Sequence, residues 1–192
     1  MPRKPRQESK SGVYHFIVRG VNKKKLFHRP EDYQSYRELL REYKKNLSIE
    51  IYHYCFMNNH VHLILRAPDL DSLSRFGHFV QRRYAYYYCK TYKWAEQVFR
   101  KRFLSLPIEN DVYLLECARY IERNPLEAKL TEDLEKYPHT SFPFYALGKP
   151  DGLINESPGF LSLGKIDRER RQIYRFYVLQ NRTQSENLLV PF

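Results

Sequence analysis

Cysteine is scarce in this chain: Cys55, Cys89 and Cys117 are an odd number of thiols with no zinc-type spacing. That excludes a disulfide scaffold and a thiolate zinc site, and leaves small, mostly buried residues suited to a reducing compartment. No apolar run is long enough to cross a bilayer. The basic opening stretch MPRKPRQESK is not followed by the apolar segment of a secretory signal. A cytoplasmic protein with no membrane partner is the expectation. Internal repeats are absent. Acidic residues are also in short supply, with 22 Asp and Glu against 33 Lys and Arg and a net charge of +11.

What is there fits a folded, basic protein. The 192 residues are 42% hydrophobic and 29% charged, enough for a core in a single domain with extensions. Aromatic content is 16%, including 17 tyrosines. Cations neutralise phosphates and ring faces stack on unpaired bases, so nucleic acid is the expected partner and a membrane surface the competing one.

Periodicity orders the first two-thirds of the chain. VYHFIVRGVN alternates as a strand and stops at a turn. HRPEDYQSYRELLREYKKN follows as a helix, with Tyr33, Tyr36, Leu39, Leu40 and Tyr43 at helical spacing. SIEIYHYCFM and HVHLILRAP are strands joined at the Asn58-Asn59 turn. A helix from Asp71 to Tyr92, capped by Ser72 or Ser74, carries Leu73, Phe76, Phe79, Val80, Tyr84 and Tyr87 on one face. RFLSLPI is a strand, and a helix runs from near Asn110 to a stop before Pro125. This order predicts an α+β domain, a mainly antiparallel sheet with helices packed on it. The boundaries are a basic tail over 1–12, a domain over 13–130 and an extension over 131–192. Within the extension, YPHTSFPFYALGKPDGLINESPGF reads as a surface loop. DRERRQIYRFYVLQN reads as a basic helix docked through Ile173, Phe176 and Tyr177, either finishing the core or touching DNA.

Side chains alternate along a strand, so His60 and His62 share one surface while Val61, Leu63 and Leu65 face the other way. Such a pair suits a metal ion, and equally suits the polar face of a strand. Residues four apart on a helix are neighbours, which pairs Tyr120 with Asn124 and with Glu116. Tyrosine offers a phenolic nucleophile and asparagine a hard oxygen ligand. The tyrosines at 84, 86, 87 and 88 are rival nucleophiles whose ordinary role is packing and stacking. Asn124 is also a plausible helix cap before Pro125. His15, His53 and His78 read as structural or surface residues.

The HVH strand, then VFRKRF, then RYIERNP resemble the REP-associated tyrosine transposases, a branch of the single-tyrosine HUH transposases of bacterial insertion sequences. The resemblance spans roughly Val13 to Leu130, and SLGKIDRERRQIYRFYV resembles the extension of some members. It implies a ferredoxin-like HUH endonuclease fold, Tyr120 as nucleophile, and one divalent cation, Mg2+ or Mn2+, on His60, His62 and Asn124. The implied activity is single-strand DNA cleavage and strand transfer near hairpin or palindromic repeats through a 5′-phosphotyrosine intermediate. Asn58 stands where proline is common, Glu122 where histidine is frequent and Arg100 where glutamine is usual. Arg82, Arg83, Arg100, Lys101, Arg102 and Arg119 are the expected phosphate contacts. Related transposases share sites between subunits, whereas the repeat-associated branch works as a monomer, so monomer or homodimer both stay open. The alternative function is a non-catalytic binder of structured DNA or RNA that keeps the fold.

Overall fold

The computed structural model describes residues 6–180. Four strands, β1 (Val13–Arg19), β2 (Glu50–Met57), β3 (His60–Arg66) and β4 (Leu104–Ile108), form one sheet in the order β2-β3-β1-β4. All three pairings are antiparallel. Helix α1 (Pro30–Asn46) joins β1 to β2, and α2 (Leu70–Tyr92) joins β3 to β4. This is the β-α-β-β-α-β ferredoxin-like arrangement, an α+β fold as the sequence predicts. A third helix, α3 (Asp111–Glu127), follows β4 and lies on the opposite face of the sheet.

The alternation of the strands decides what each face meets. Phe16 and Val18 of β1, Tyr54 and Phe56 of β2, and Val61, Leu63 and Leu65 of β3 pack with Tyr36, Leu40, Phe76, Val80 and Tyr84 of α1 and α2. The other face offers Val13, Cys55 and Ile64 to Leu114, Cys117, Ala118 and Ile121 of α3, which recur at helical spacing. Cys55 and Cys117 are buried and Cys89 is partly exposed.

Several expectations are corrected in detail. The cap of α2 is Asp69, whose carboxylate accepts from Ser72 N, rather than Ser72 or Ser74. Helix α3 does not stop before Pro125 but runs through it to Glu127. Proline removes the N–H that would reach the carbonyl of Ile121. Here the side-chain amide of Asn124 donates to that carbonyl at 3.3 Å and to Tyr120 O at 2.9 Å, so the orphaned acceptor keeps a partner.

The Pro- and Gly-rich stretch expected to wander over the surface is instead folded. Helices α4 (Phe142–Leu147) and α5 (Pro158–Leu161) bury Phe142, Tyr145 and Phe160 with Tyr174 and Val178 of α6 (Asp167–Leu179). Helix α6 therefore docks through Tyr174 and Val178, while Ile173 and Phe176, expected on the docking face, are exposed. Below it lies a fully buried polar cluster. The carboxylate of Glu122 accepts from Tyr174 OH at 2.8 Å and from Ser141 Oγ, and lies 3.1 Å from His53 Nδ1. His53 Nε2 lies 2.9 Å from Ser157 Oγ. The order Ser157, His53, Glu122 matches a hydrolytic triad, but each of these residues is 0% exposed, so the cluster ties the extension to β2 and α3 and meets no substrate.

Truncating Glu122 removes the carboxylate that Tyr174, Ser141 and His53 share in this buried cluster. Glu122→Ala is expected to destabilise the fold by roughly 3 kcal/mol, read as a lower thermal midpoint. An unchanged midpoint would show that the cluster does not hold the extension.

Candidate active site

The register of β1 on β3 builds the site. Ile17 pairs with His62 and Arg19 with His60, so the strand ends bring Arg19 beside both histidines on the α3 side of the sheet. The segment after α2 runs along the end of β1: Val21 N donates to Val98 O and Arg100 N to Arg19 O, both at 2.9 Å. That run carries Arg100 to the same place. Gly20 sits between these strands, its N–H donating to Asn59 O at 2.8 Å. A Cβ there would lie 2.2 Å from the carbonyl oxygen of Lys24, so only glycine allows this approach.

Helix α3 closes the site from above. With Cys117, Ala118 and Ile121 on the sheet, Tyr120 is left half-buried at the edge of the contact. Its ring centroid lies 6.0 Å from that of His62, nearly perpendicular to it. Tyr120, His60, His62, Arg19, Lys23 and Arg100 line one cleft of about 460 Å³. The nucleophile and the histidine pair expected from the sequence thus meet, within one chain.

Each histidine is held by a neighbouring side chain and kept neutral by its surroundings. His60 Nδ1 lies 2.6 Å from Asn59 Oδ1, and His62 Nδ1 lies 2.8 Å from His15 Nε2. In both rings Nδ1 is the engaged nitrogen. Burial, and then the positive charge of Arg19, push His60 down from 6.5 to about 4. Burial pushes His62 well below its ordinary value, helped by His15, His60 and Arg19. At neutral pH both rings are neutral, the state a cation needs.

Asn124 stands one turn beyond Tyr120 but is not among the residues lining the cleft. Its amide nitrogen is held by helix carbonyls, so its oxygen is the atom it has to offer. Among the described residues, no group of three or more His, Cys, Asp or Glu is placed to hold a metal. The expected donor set has only two such residues, the third being an amide. Two neutral imidazoles side by side beneath Tyr120 fit a divalent cation that keeps positions open for water and phosphate.

The expected phosphate contacts separate. Arg100 lines the Tyr120 cleft. Arg82, Lys101 and Arg102 share a second groove between α2 and the segment that follows it, and Arg83 faces a third between α1 and α2 with Tyr86 and Lys90. Arg119 is corrected: it is 2% exposed, donates to Gln180 O at 2.9 Å and lies over the Tyr177 ring, so it packs α3 against α6. The rival tyrosines 84 and 88 are buried core residues. Sequence reasoning missed Arg19, Lys23 and His15. The odd positions of β1 fall on the histidine face by alternation alone, which is the signal that would have found Arg19 and His15.

The model of the IS200-like transposases matches residues 8–124. The chain belongs to the IS200-like transposase family. No curated protein matches it. Among solved structures it is similar to a REP-associated tyrosine transposase bound to a REP hairpin, at 20% identity over 83% of this chain and 96% of that one, with a TM-score of 0.65. That likeness shows a shared fold. A candidate transposase from Deinococcus radiodurans matches at 20% identity over 64% of this chain and 97% of its own, with a TM-score of 0.43. Within this transposase family member, no helix of the described residues is long and apolar enough to cross a membrane.

The depressed histidines set a pH dependence. The unfolded chain takes up protons as pH falls below 6.5, whereas folded His60 does so only near 4, and His15, buried and near Arg19, only near 3. Their contribution to stability is complete above pH 6.5 and is lost as pH falls toward 4 for His60 and toward 3 for His15. The thermal midpoint should drop across that window, and the His60 ring should show an NMR titration midpoint near 4. A midpoint at the ordinary value would contradict the buried cleft.

Proposed function

We propose that this transposase family member is a metal-dependent single-strand DNA endonuclease and strand transferase, acting at hairpin or palindromic repeats through a 5′-phosphotyrosine intermediate. The observation that carries this reading is that Tyr120, His60 and His62 of one chain line a single basic cleft. The hairpin bound to the structural relative supports hairpin DNA as the substrate class. Such a substrate puts the protein with the nucleoid in the cytoplasm.

His60 and His62 would hold Mg2+ or Mn2+ through Nε2, with Asn124 Oδ1 as third donor. When bound, the cation supplies Lewis-acid polarisation of the scissile phosphate. The phenolic oxygen of Tyr120 attacks phosphorus, forming a P–O bond to tyrosine as the bond to the 3′-oxygen breaks. The phenol gives its proton to water and the leaving oxygen takes one up, so a 3′-hydroxyl departs and the 5′-phosphate stays on the protein. Because the phosphodiester is conserved in the link, a 3′-hydroxyl can attack it and rejoin strands without a nucleotide cofactor. Arg19, Lys23 and Arg100 set positive charge around the reacting phosphate. Arg82, Arg83, Lys101 and Arg102 hold flanking phosphates along the neighbouring grooves.

Both halves of the site come from one chain, which supports a monomer. Labelled single-stranded hairpins incubated with the protein and Mn2+ should give a covalent adduct on a denaturing gel, lost with chelator and lost in Tyr120→Phe. Hairpin binding without an adduct would support a non-catalytic DNA-binding role, and an adduct surviving in Tyr120→Phe would name the wrong nucleophile. Mixing Tyr120→Phe with His60→Ala should restore no adduct. Recovery on mixing would mean a dimer that shares its sites.

A further inference from the structure

The two histidines of the cleft reach their binding state by different routes. His60 Nδ1 faces Asn59 Oδ1, a carbonyl oxygen that can only accept, so His60 carries its proton on Nδ1 and a lone pair on Nε2. His62 Nδ1 instead faces a second imidazole nitrogen, His15 Nε2, at 2.8 Å. One proton lies between those two nitrogens, and it can belong to either ring. If it belongs to His15, His62 holds its own proton on Nε2 and cannot bind a cation. If it belongs to His62, Nε2 carries a lone pair.

We propose that His15 is a positioning residue that accepts the Nδ1 proton of His62, and so fixes His62 in the tautomer and ring orientation that bind the divalent cation. The geometry leaves few substitutes. His15 and His62 are each 1% exposed, so water does not replace the bond without opening the sheet. Ile64 lies opposite His15 and Ile17 opposite His62, which makes the two histidines diagonal neighbours across β1 and β3 with apolar residues at the other corners. Their ring centroids are 5.0 Å apart and tilted by 36°. A hydrogen bond on the non-ligating nitrogen is the usual way a protein orients a metal-binding imidazole. This inference rests on the cation reading of the cleft.

The test uses the full chain without DNA. Long-range 15N–1H correlation of the metal-free protein should show His62 with its proton on Nδ1. Mn2+ titration followed by electron paramagnetic resonance should show an affinity weakened roughly 10–100-fold in His15→Phe, and largely restored in His15→Gln, whose amide oxygen can accept. If the wild type holds Mn2+ but His62 carries its proton on Nε2, or a folded His15→Phe binds Mn2+ as tightly as wild type, the role of His15 is overturned and the cation site stands. If the wild type binds no Mn2+, the cation reading itself falls, and this inference with it.

Discussion

Strand β3 satisfies both faces of the sheet only in the register it adopts with β1, where Val18 lies opposite Val61 and Ile17 opposite His62. A slip of one residue would turn Val61, Leu63 and Leu65 away from the aromatic layer of α1 and α2 and set His60 and His62 against it. Each of those aliphatic side chains gains about 2 kcal/mol from burial, and an imidazole pressed into an apolar layer loses its hydrogen bonds. The core therefore fixes where the histidines point. Arg19, paired with His60, and Arg100, bonded through its backbone to Arg19, follow from that same register.

The opposite face of the sheet divides its work along α3. Near the strand ends, Tyr120 overhangs the histidines; toward the extension, Glu122 and Arg123 bind α6 and the segments before it. A single helix thus joins the Tyr120 cleft to the buried polar cluster. Asn124 stands at the junction, repairing the helix beside Pro125 with its amide nitrogen. That structural duty uses the amide nitrogen and leaves the oxygen for the donor role proposed above.

The sheet and the first three helices were legible because each strand alternates and each helix repeats its apolar residues over several turns. That the histidine pair and Tyr120 would meet in one cleft was legible because HVH and YIERNP combine with the family resemblance. Other features were hidden for definable reasons. Asn124 makes an interior proline tolerable through a side-chain bond that no propensity encodes. Phe142, Tyr145 and Phe160 lie among prolines and glycines, so their burial has no period to betray it. Arg119 looks like any helical arginine until α6 covers it, and His15 gains meaning only once β1 is paired with β3. Tertiary contact, rather than local pattern, decided each of these.

The central claim is that one chain presents His60 and His62 to a cation beneath Tyr120. Anomalous diffraction from Mn2+-soaked crystals tests it most directly. The expected result is a single strong peak within bonding distance of Nε2 of both histidines, on the side of the sheet that Tyr120 covers. A fully ordered cleft with no peak at that position, or a peak held by other side chains, would contradict it.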